Sequence, residues 1–365
     1  MILLIKKKLK FIYKLIVYKI FFIFYGSVTN IISDSSKIIK KNIILDEKLK
    51  YKIFNLIDGR LYTNRVHDTA AIIKNRIVDG PSFQYRENKN SNCKNNIVLR
   101  IGTPSIQRKL SGTVLSLLTG GGGNSNYWHW LFDVLPRLKL ASETIDLEKI
   151  DHFLLPSLHE KFQIETLDIL NIPNNKRLSS RYCKHIAANR IIITDHPYNL
   201  LNDPFKDSLN IPTWIIKFLK KKFNTVNKYS DGKFPKKFYI DRSDSKSNNK
   251  NLRKITNEEE VKNILEKNGF SSVILSNYHF NDQVKLFNNA DHVIGLHGAG
   301  FANVIFCKPK TKITELRSKA AGKIIENLSL KNDLNYKSII RKPESFTCLQ
   351  LGDINIPLDI LQSNI

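Results

Sequence analysis

The second half of the chain alternates short apolar runs with amphipathic ones, and few folds can bury such a pattern. KKFYIDRS reads as a strand. TNEEEVKNILEKNGF reads as a helix, with Thr256 as its cap and Glu259 at capping-box spacing. SSVILSN is a strand, HFNDQVKLFNNA a helix, and DHVIGLHGAG a strand running into a glycine-bearing turn. FANVIFC starts a helix and TKITELRS is one more strand. Repeated strand and helix with short loops predict a parallel sheet covered by helices, a Rossmann-like domain over residues 237–340. Residues 341–365 are then a C-terminal tail.

The first half is less regular. Residues 31 to about 110 mix runs such as NIILDEKLKYKIF and NNIVLRIG with polar turns, and read as strands and loops. NYWHWLFDVLPRLKLA has apolar positions at helical spacing, a cap at Asn124, Ser125 or Asn126, and a stop or kink around Pro136. From residue 151 the alternation returns: HFLLP as strand, KFQIETLDILNI as helix, AANRIIITD as strand, then TWIIKFLKKKF, 213–223, as helix. The polar, basic stretch that follows contains Gly and Pro and reads as a linker at 225–236. A first α/β domain therefore covers 31–224.

Composition excludes several classes. Hydrophobic content of 42% is that of a globular chain, neither disordered nor multi-pass in a membrane. The formal charge of +25 invites a nucleic-acid reading. The excess is mostly lysine, however, in a chain also rich in Ile and Asn, and no zinc-finger, RNA-recognition or basic-zipper pattern accompanies it. Acidic small partners suit that charge better than nucleic acid. Cys93, Cys183, Cys307 and Cys348 lie far apart, without zinc-ligand spacing, and read as reduced, buried thiols.

Residues 1–30 form a basic amphipathic leader. Lys6, Lys7, Lys8, Lys10, Lys14 and Lys19 interrupt its apolar residues, leaving no run long enough to span a bilayer and no secretory core. Two readings stay open: a helix lying peripherally on an anionic membrane, or a loose basic tail. The expected location is cytoplasmic, with the inner membrane face as the peripheral site.

In an open parallel sheet, ligands bind beyond the carboxyl ends of the strands. VIGLHGAGFANVIF places His297, Gly298, Ala299 and Gly300 at such an end, with Asn303 in the first helical turn. Small residues and free helix-start N–H groups suit a diphosphate. A tight turn with a structural histidine is the plain alternative. Arg242 ends the strand KKFYIDRS and Arg253 follows it, both of the side-chain type best matched to phosphate. Either could equally be a solvated charge. Glu315 ends TKITELRS, where it could accept ribose hydroxyls or pair with a lysine.

NYWHWLFDVLPRL, YIDRS, the R-x-x-x-N-E stretch Arg253–Glu258 and VIGLHGAGFANVIFCKP, in that order, resemble glycosyltransferase family 61 over roughly residues 95–320. That family includes protein O-linked N-acetylglucosaminyltransferases, xylan-decorating enzymes and bacterial capsular or surface-polysaccharide proteins. The resemblance implies a GT-B-like α/β architecture, two Rossmann-like domains with parallel sheets facing a cleft. The first would be acceptor-side and the second would bind the nucleotide sugar. It also implies inverting, metal-independent transfer of a hexosyl or pentosyl unit from a nucleotide-sugar donor to a glycan or lipid-linked glycan, with no cofactor. In keeping with this, Asp241, Arg242, Ser243 and Asp244 do not make the D-x-D of a metal-bound diphosphate, and Arg242 could stabilise the leaving group instead.

Inverting transfer needs a base for the acceptor hydroxyl. His129 and Asp133 are four residues apart, on one helix face. His129 could be the base with Asp133 orienting it, Asp133 could be the base, or the two could only support packing. Arg137, one turn on, could pair with Asp133 or reach a phosphate. Glycines 120–123, outside the resemblance, read as a flexible loop. A noncatalytic nucleotide- or glycan-binding protein of the same fold is the rival function.

Overall fold

The computed structural model describes residues 2–46, 48–63, 68–84, 93–118, 125–198, 204–224, 234–244, 253–344 and 352–365. Glycines 120–123, Asn124, Cys348 and most of the expected linker lie outside them. The chain divides into two compact units, Met1–Pro204 and Phe205–Ile365.

The first unit begins with α1 (Ile2–Tyr25) and a run of strands, β1 (Asn30–Ile32), β2 (Ile38–Leu45), β3 (Leu49–Tyr62), β4 (Asp68–Ile73), β5 (Arg76–Val78) and β6 (Phe83–Gln84). After the short α2 (Val98–Ile101) come β7 (Gln107–Ser116), α3 (Tyr127–His129), α4 (Pro136–Ser142), β8 (His152–Leu155), α5 (Lys161–Ile169), β9 (Arg177–Ser179) and β10 (His185–Thr194). Four strands are parallel neighbours in the order β9-β8-β7-β10. That is half of a doubly wound sheet, with the order reversing between β7 and β10. β3 then pairs antiparallel with β10 and carries β2, β4 and the strands beyond.

The expectation of a wholly parallel first domain is therefore corrected to a mixed sheet. Residues 31–84 are joined by connections of a few residues, which suffice for antiparallel hairpins but not for parallel crossovers. Leu56, Leu61, Val114, Leu154, Ile186 and Ile191 form one core cluster on this sheet. α1 is held at its end, where Tyr25 Oη accepts the Gln107 N–H at 2.9 Å and its ring meets His185 edge-on at 4.9 Å. Val17, Tyr18, Phe21 and Tyr25 are half-buried, whereas Ile5, Leu9, Ile12, Ile16, Ile20 and Ile23 are exposed at three- and four-residue spacing.

The second unit contains α6 (Pro204–Ser208, whose first residue belongs to the first unit), α7 (Thr213–Phe223), β11 (Lys237–Asp241), α8 (Glu258–Lys267), β12 (Ser271–Ile274), α9 (Phe280–Asn288), β13 (His292–Leu296), β14 (Lys312–Ser318), α10 (Ile324–Lys331), β15 (Asn335–Arg341) and α11 (Leu358–Gln362). Its five strands are all parallel, in the order β12-β11-β13-β14-β15, with the reversal between β11 and β13. Helices cover both faces. Tyr239, Val261, Leu265, Ile294 and Leu316 pack on one side, and Phe238 meets Phe287 on the other.

Three expectations shift here. α7 belongs to the second unit, ahead of the expected 225–236 boundary, because Phe223 packs edge-on against Phe280 and Phe306. The tail returns to the core through buried Ile354, Ile356 and Leu361. α8 starts at Glu258 with Asn257 at its cap position, one residue after Thr256. Asn257 makes no side-chain cap; its amide is spent on both backbone groups of Ile356, at 2.8 and 3.0 Å.

Candidate active site

Beyond β7 the chain enters a helix whose cap, among the three candidates, is Asn126: its Oδ1 accepts the Trp128 N–H at 2.9 Å. After α3 the helix widens into a π turn over Trp130–Val134, where the Leu135 N–H reaches back five residues to the Trp130 carbonyl at 3.1 Å. Pro136 has no N–H to continue the regular ladder. The Asp133 carbonyl accepts from the Arg137 side chain, Nε to O at 3.1 Å. Such widened turns are frequent at functional sites. The aromatic neighbours hold this helix in place: Trp130 is fully buried and donates to Thr166 Oγ1 at 2.8 Å, Trp128 packs on Phe132, and Tyr127 meets Phe162 edge-on.

His129 Nδ1 lies 2.8 Å from Asp133 Oδ2. An ionised carboxylate only accepts, so Nδ1 carries a proton, and in the neutral imidazole Nε2 keeps its lone pair. Nε2 has no partner among the described residues, and the His129 side chain is 33% exposed, against 2% for Asp133. A third residue joins them that the sequence reading did not single out. His196, just past the end of β10, accepts the Tyr198 N–H on Nδ1 at 3.3 Å. Its Nε2 stands 3.7 Å from Asp133 Oδ2, and its ring is edge-on to Tyr198 at 4.6 Å. A histidine directly after a predicted parallel strand was the available signal.

Arg137 fastens these parts together. It is buried, and its Nη1 donates to the Thr194 carbonyl at 2.9 Å and to Thr194 Oγ1 at 3.2 Å. It therefore meets the carbonyl of Asp133, not its carboxylate, and clamps α4 to the end of β10. The three side chains sit at the ends of β7 and β10, where the strand order reverses.

Charge balance follows from burial and pairing. Burial disfavours the cation of His129, but the Asp133 charge and hydrogen bond outweigh this and raise its pKa. Burial would raise Asp133, yet His129 and then His196 hold it well below the usual carboxylate range. His196 is lowered, chiefly by burial, and stays neutral. Among the described residues no three His, Cys, Asp or Glu side chains are grouped as ligands for a metal ion.

The second unit has its own reversal point. There Arg242, just beyond β11, donates from Nη1 to the His297 carbonyl at 3.0 Å. Gly298 makes the approach possible, because a Cβ there would sit 3.2 Å from both Cζ and Nη1 of Arg242. Ala299–Phe306 form an eight-residue 3₁₀ helix starting directly after Gly298, not the expected α-helical turn. A Cβ on Gly300 would press on Leu275 at 3.0 Å.

His297 Nδ1 is hydrogen-bonded to Glu315 Oε1, and the Tyr336 hydroxyl donates to Oε2. Glu315 is fully buried with both oxygens engaged, so its contacts make it a holder of His297 instead of a ribose acceptor. Asn303 is also fully buried; its Nδ2 donates to Gln283 Oε1 at 3.0 Å, which locks the 3₁₀ helix to α9. Arg253 is half-buried and leads into the Ile255–Ile354 bridge. The structure thus joins His129 with Asp133, and Arg242 with His297, Gly298 and Glu315.

No curated protein matches the chain. A family model, Glycosyltransferase 61, matches residues 127–314, more than half of the chain. The match opens two residues before His129 and takes in Arg242 and the His297–Gly300 turn. The chain belongs to glycosyltransferase family 61 and is a glycosyltransferase, an enzyme that passes sugar from a donor to a glycan acceptor.

Proposed function

We propose that the protein transfers one sugar, with inversion and without a metal ion, from a nucleotide sugar to a growing surface glycan such as a capsular polysaccharide. The observation that carries this reading is the His129–Asp133 pair, held at 2.8 Å with Nε2 of the histidine left open. Nε2 takes the proton of the acceptor hydroxyl as that oxygen bonds to the anomeric carbon. The bond from that carbon to the donor phosphate breaks on the opposite side, and the nucleoside diphosphate leaves with the electron pair. An α-linked donor therefore gives a β-linked product. Asp133 stabilises the imidazolium, and His196 and Arg137 fix Asp133.

The leaving diphosphate is assigned to the turn at His297, Gly298, Ala299 and Gly300. Free N–H groups open the 3₁₀ helix there, and Arg242 supplies a permanent charge. In this reading the units work together in the GT-B manner. Glu315 acts on the donor through His297, and Asn303 by fixing the helix. The leader belongs to the same picture, as a peripheral helix on anionic lipid. A noncatalytic donor-binding protein of this fold is the second reading, and the dyad argues against it.

Screening UDP-, GDP-, CMP- and dTDP-linked sugars by thermal shift, then assaying transfer, tests the proposal. One donor is expected to protect and to be turned over with or without chelator. His129→Ala is expected to keep that protection and lose about 10²–10⁴ in turnover. Near-normal turnover by a folded His129→Ala would end the assignment. Turnover abolished by chelator and restored by manganese would end its metal-free part.

A further inference from the structure

Arg317 lies on β14, two residues beyond Glu315 and therefore on the same face of the sheet. It stands beside His297, whose N–H is bonded to the Leu316 carbonyl at 2.9 Å. Only 5% of the residue is exposed, and its Nε is buried without a hydrogen-bond partner among the described residues. The nearest acid is Glu315, with Oε2 at 3.7 Å from Nε, beyond hydrogen-bond reach. Glu315 instead accepts from His297 and from the Tyr336 hydroxyl, one on each oxygen, and at 3.7 Å takes no hydrogen bond from Arg317.

A fold does not gain stability by burying a guanidinium N–H without an acceptor beside a charge held only by a long ion pair. As a structural ion pair, Arg317 is poorly made. At the carboxyl end of a parallel strand, next to the diphosphate turn, it is well placed as one half of a contact. We infer that Arg317 is an anion-binding residue whose partner is the phosphoryl oxygen of the nucleotide donor, reached from the β14 side while Arg242 reaches from β11. The planar fork of arginine suits two phosphoryl oxygens at once. The ligand class rests on the donor reading above; the unmet Nε donor does not.

The experiment compares full-length wild type, Arg317→Met and Arg317→Lys, by thermal shift without ligand and by titration with inorganic pyrophosphate, UDP, GDP, CDP and dTDP. An apolar side chain of similar length removes a buried charge held only by the long 3.7 Å ion pair to Glu315, so Arg317→Met is expected to melt higher than wild type when unliganded. It is expected to bind the protecting diphosphate at least about tenfold more weakly. Arg317→Lys keeps the charge without the fork and falls between the two in affinity. A lower unliganded melting temperature in Arg317→Met would make Arg317 a structural partner of Glu315 and overturn the inference, as would unchanged diphosphate affinity or failure of every anion to protect wild type. Protection by pyrophosphate but by none of the nucleotides would uphold the anion site and remove the nucleotide-donor reading.

Discussion

His129 can take a proton only when neutral, so turnover should rise with pH through its pKa. Asp133 raises that pKa, which places the acid limb above the ordinary histidine value of about 6.5. Asp133→Asn removes the raising charge and leaves burial, so the limb should move to lower pH while the plateau rate falls by about 10²–10⁴. A pH profile of kcat for both proteins checks the sign; a limb that stays in place would make Asp133 a packing residue. In the second unit, Gly298→Ala puts a methyl 3.2 Å from the Arg242 guanidinium. Donor KM is expected to rise about tenfold with the fold intact, since one charge-assisted hydrogen bond is worth about 1.5–3 kcal/mol. The pairing of His129 with Asp133 could be read from the four-residue spacing. His196 could not, because its neighbourhood depends on β10 running beside β7, a contact between segments nearly 80 residues apart.

At the scale of elements, α7 matches its expected span of 213–223, β13 falls on the apolar run HVIGL and β14 on the expected strand TKITELRS. Such strands are legible because both of their faces are buried and every position is selected for it. The π turn was less so. Its sequence has ordinary helical spacing, and the widening shows only in the Leu135 N–H reaching back to the Trp130 carbonyl just before Pro136. The antiparallel extension of the first sheet was hidden for another reason, since alternating apolar residues say strand without saying which neighbour it joins. α1 is the element with most left to explain. Among the described residues no helix is long and apolar enough to cross a membrane. α1 nevertheless turns an Ile and Leu stripe outward, Ile23 being 81% exposed, beside lysines and no acid. Full-length protein should float with vesicles containing anionic lipid and not with neutral ones. Ile12→Glu with Ile16→Glu should stop it, at unchanged melting temperature. No flotation with either vesicle would return α1 to a tail, and self-association lost in the double variant would assign the stripe to a second copy.

For the whole molecule, the two units put their chemistry at equivalent places, the points where strand order reverses, on sheets of different make. The division of labour should be separable. Arg242→Ala is expected to lose donor protection in thermal shift, whereas Asp133→Asn keeps it and loses transfer; a common loss in both variants would contradict the assignment. The net charge of +25 belongs to this scale too, since it favours anionic donors and surfaces without choosing among them. The tether at Tyr25 has one more consequence. It grips Gln107 at the first residue of β7, while His129 follows the far end of that strand, ten residues long and so about 33 Å away. With α1 resting on lipid, the strand becomes a stand-off. On the proposed membrane-bound reading, lipid-linked chains long enough to rise clear of the headgroups are expected to be better acceptors than the shortest primers, which transfer assays across acceptor lengths would check.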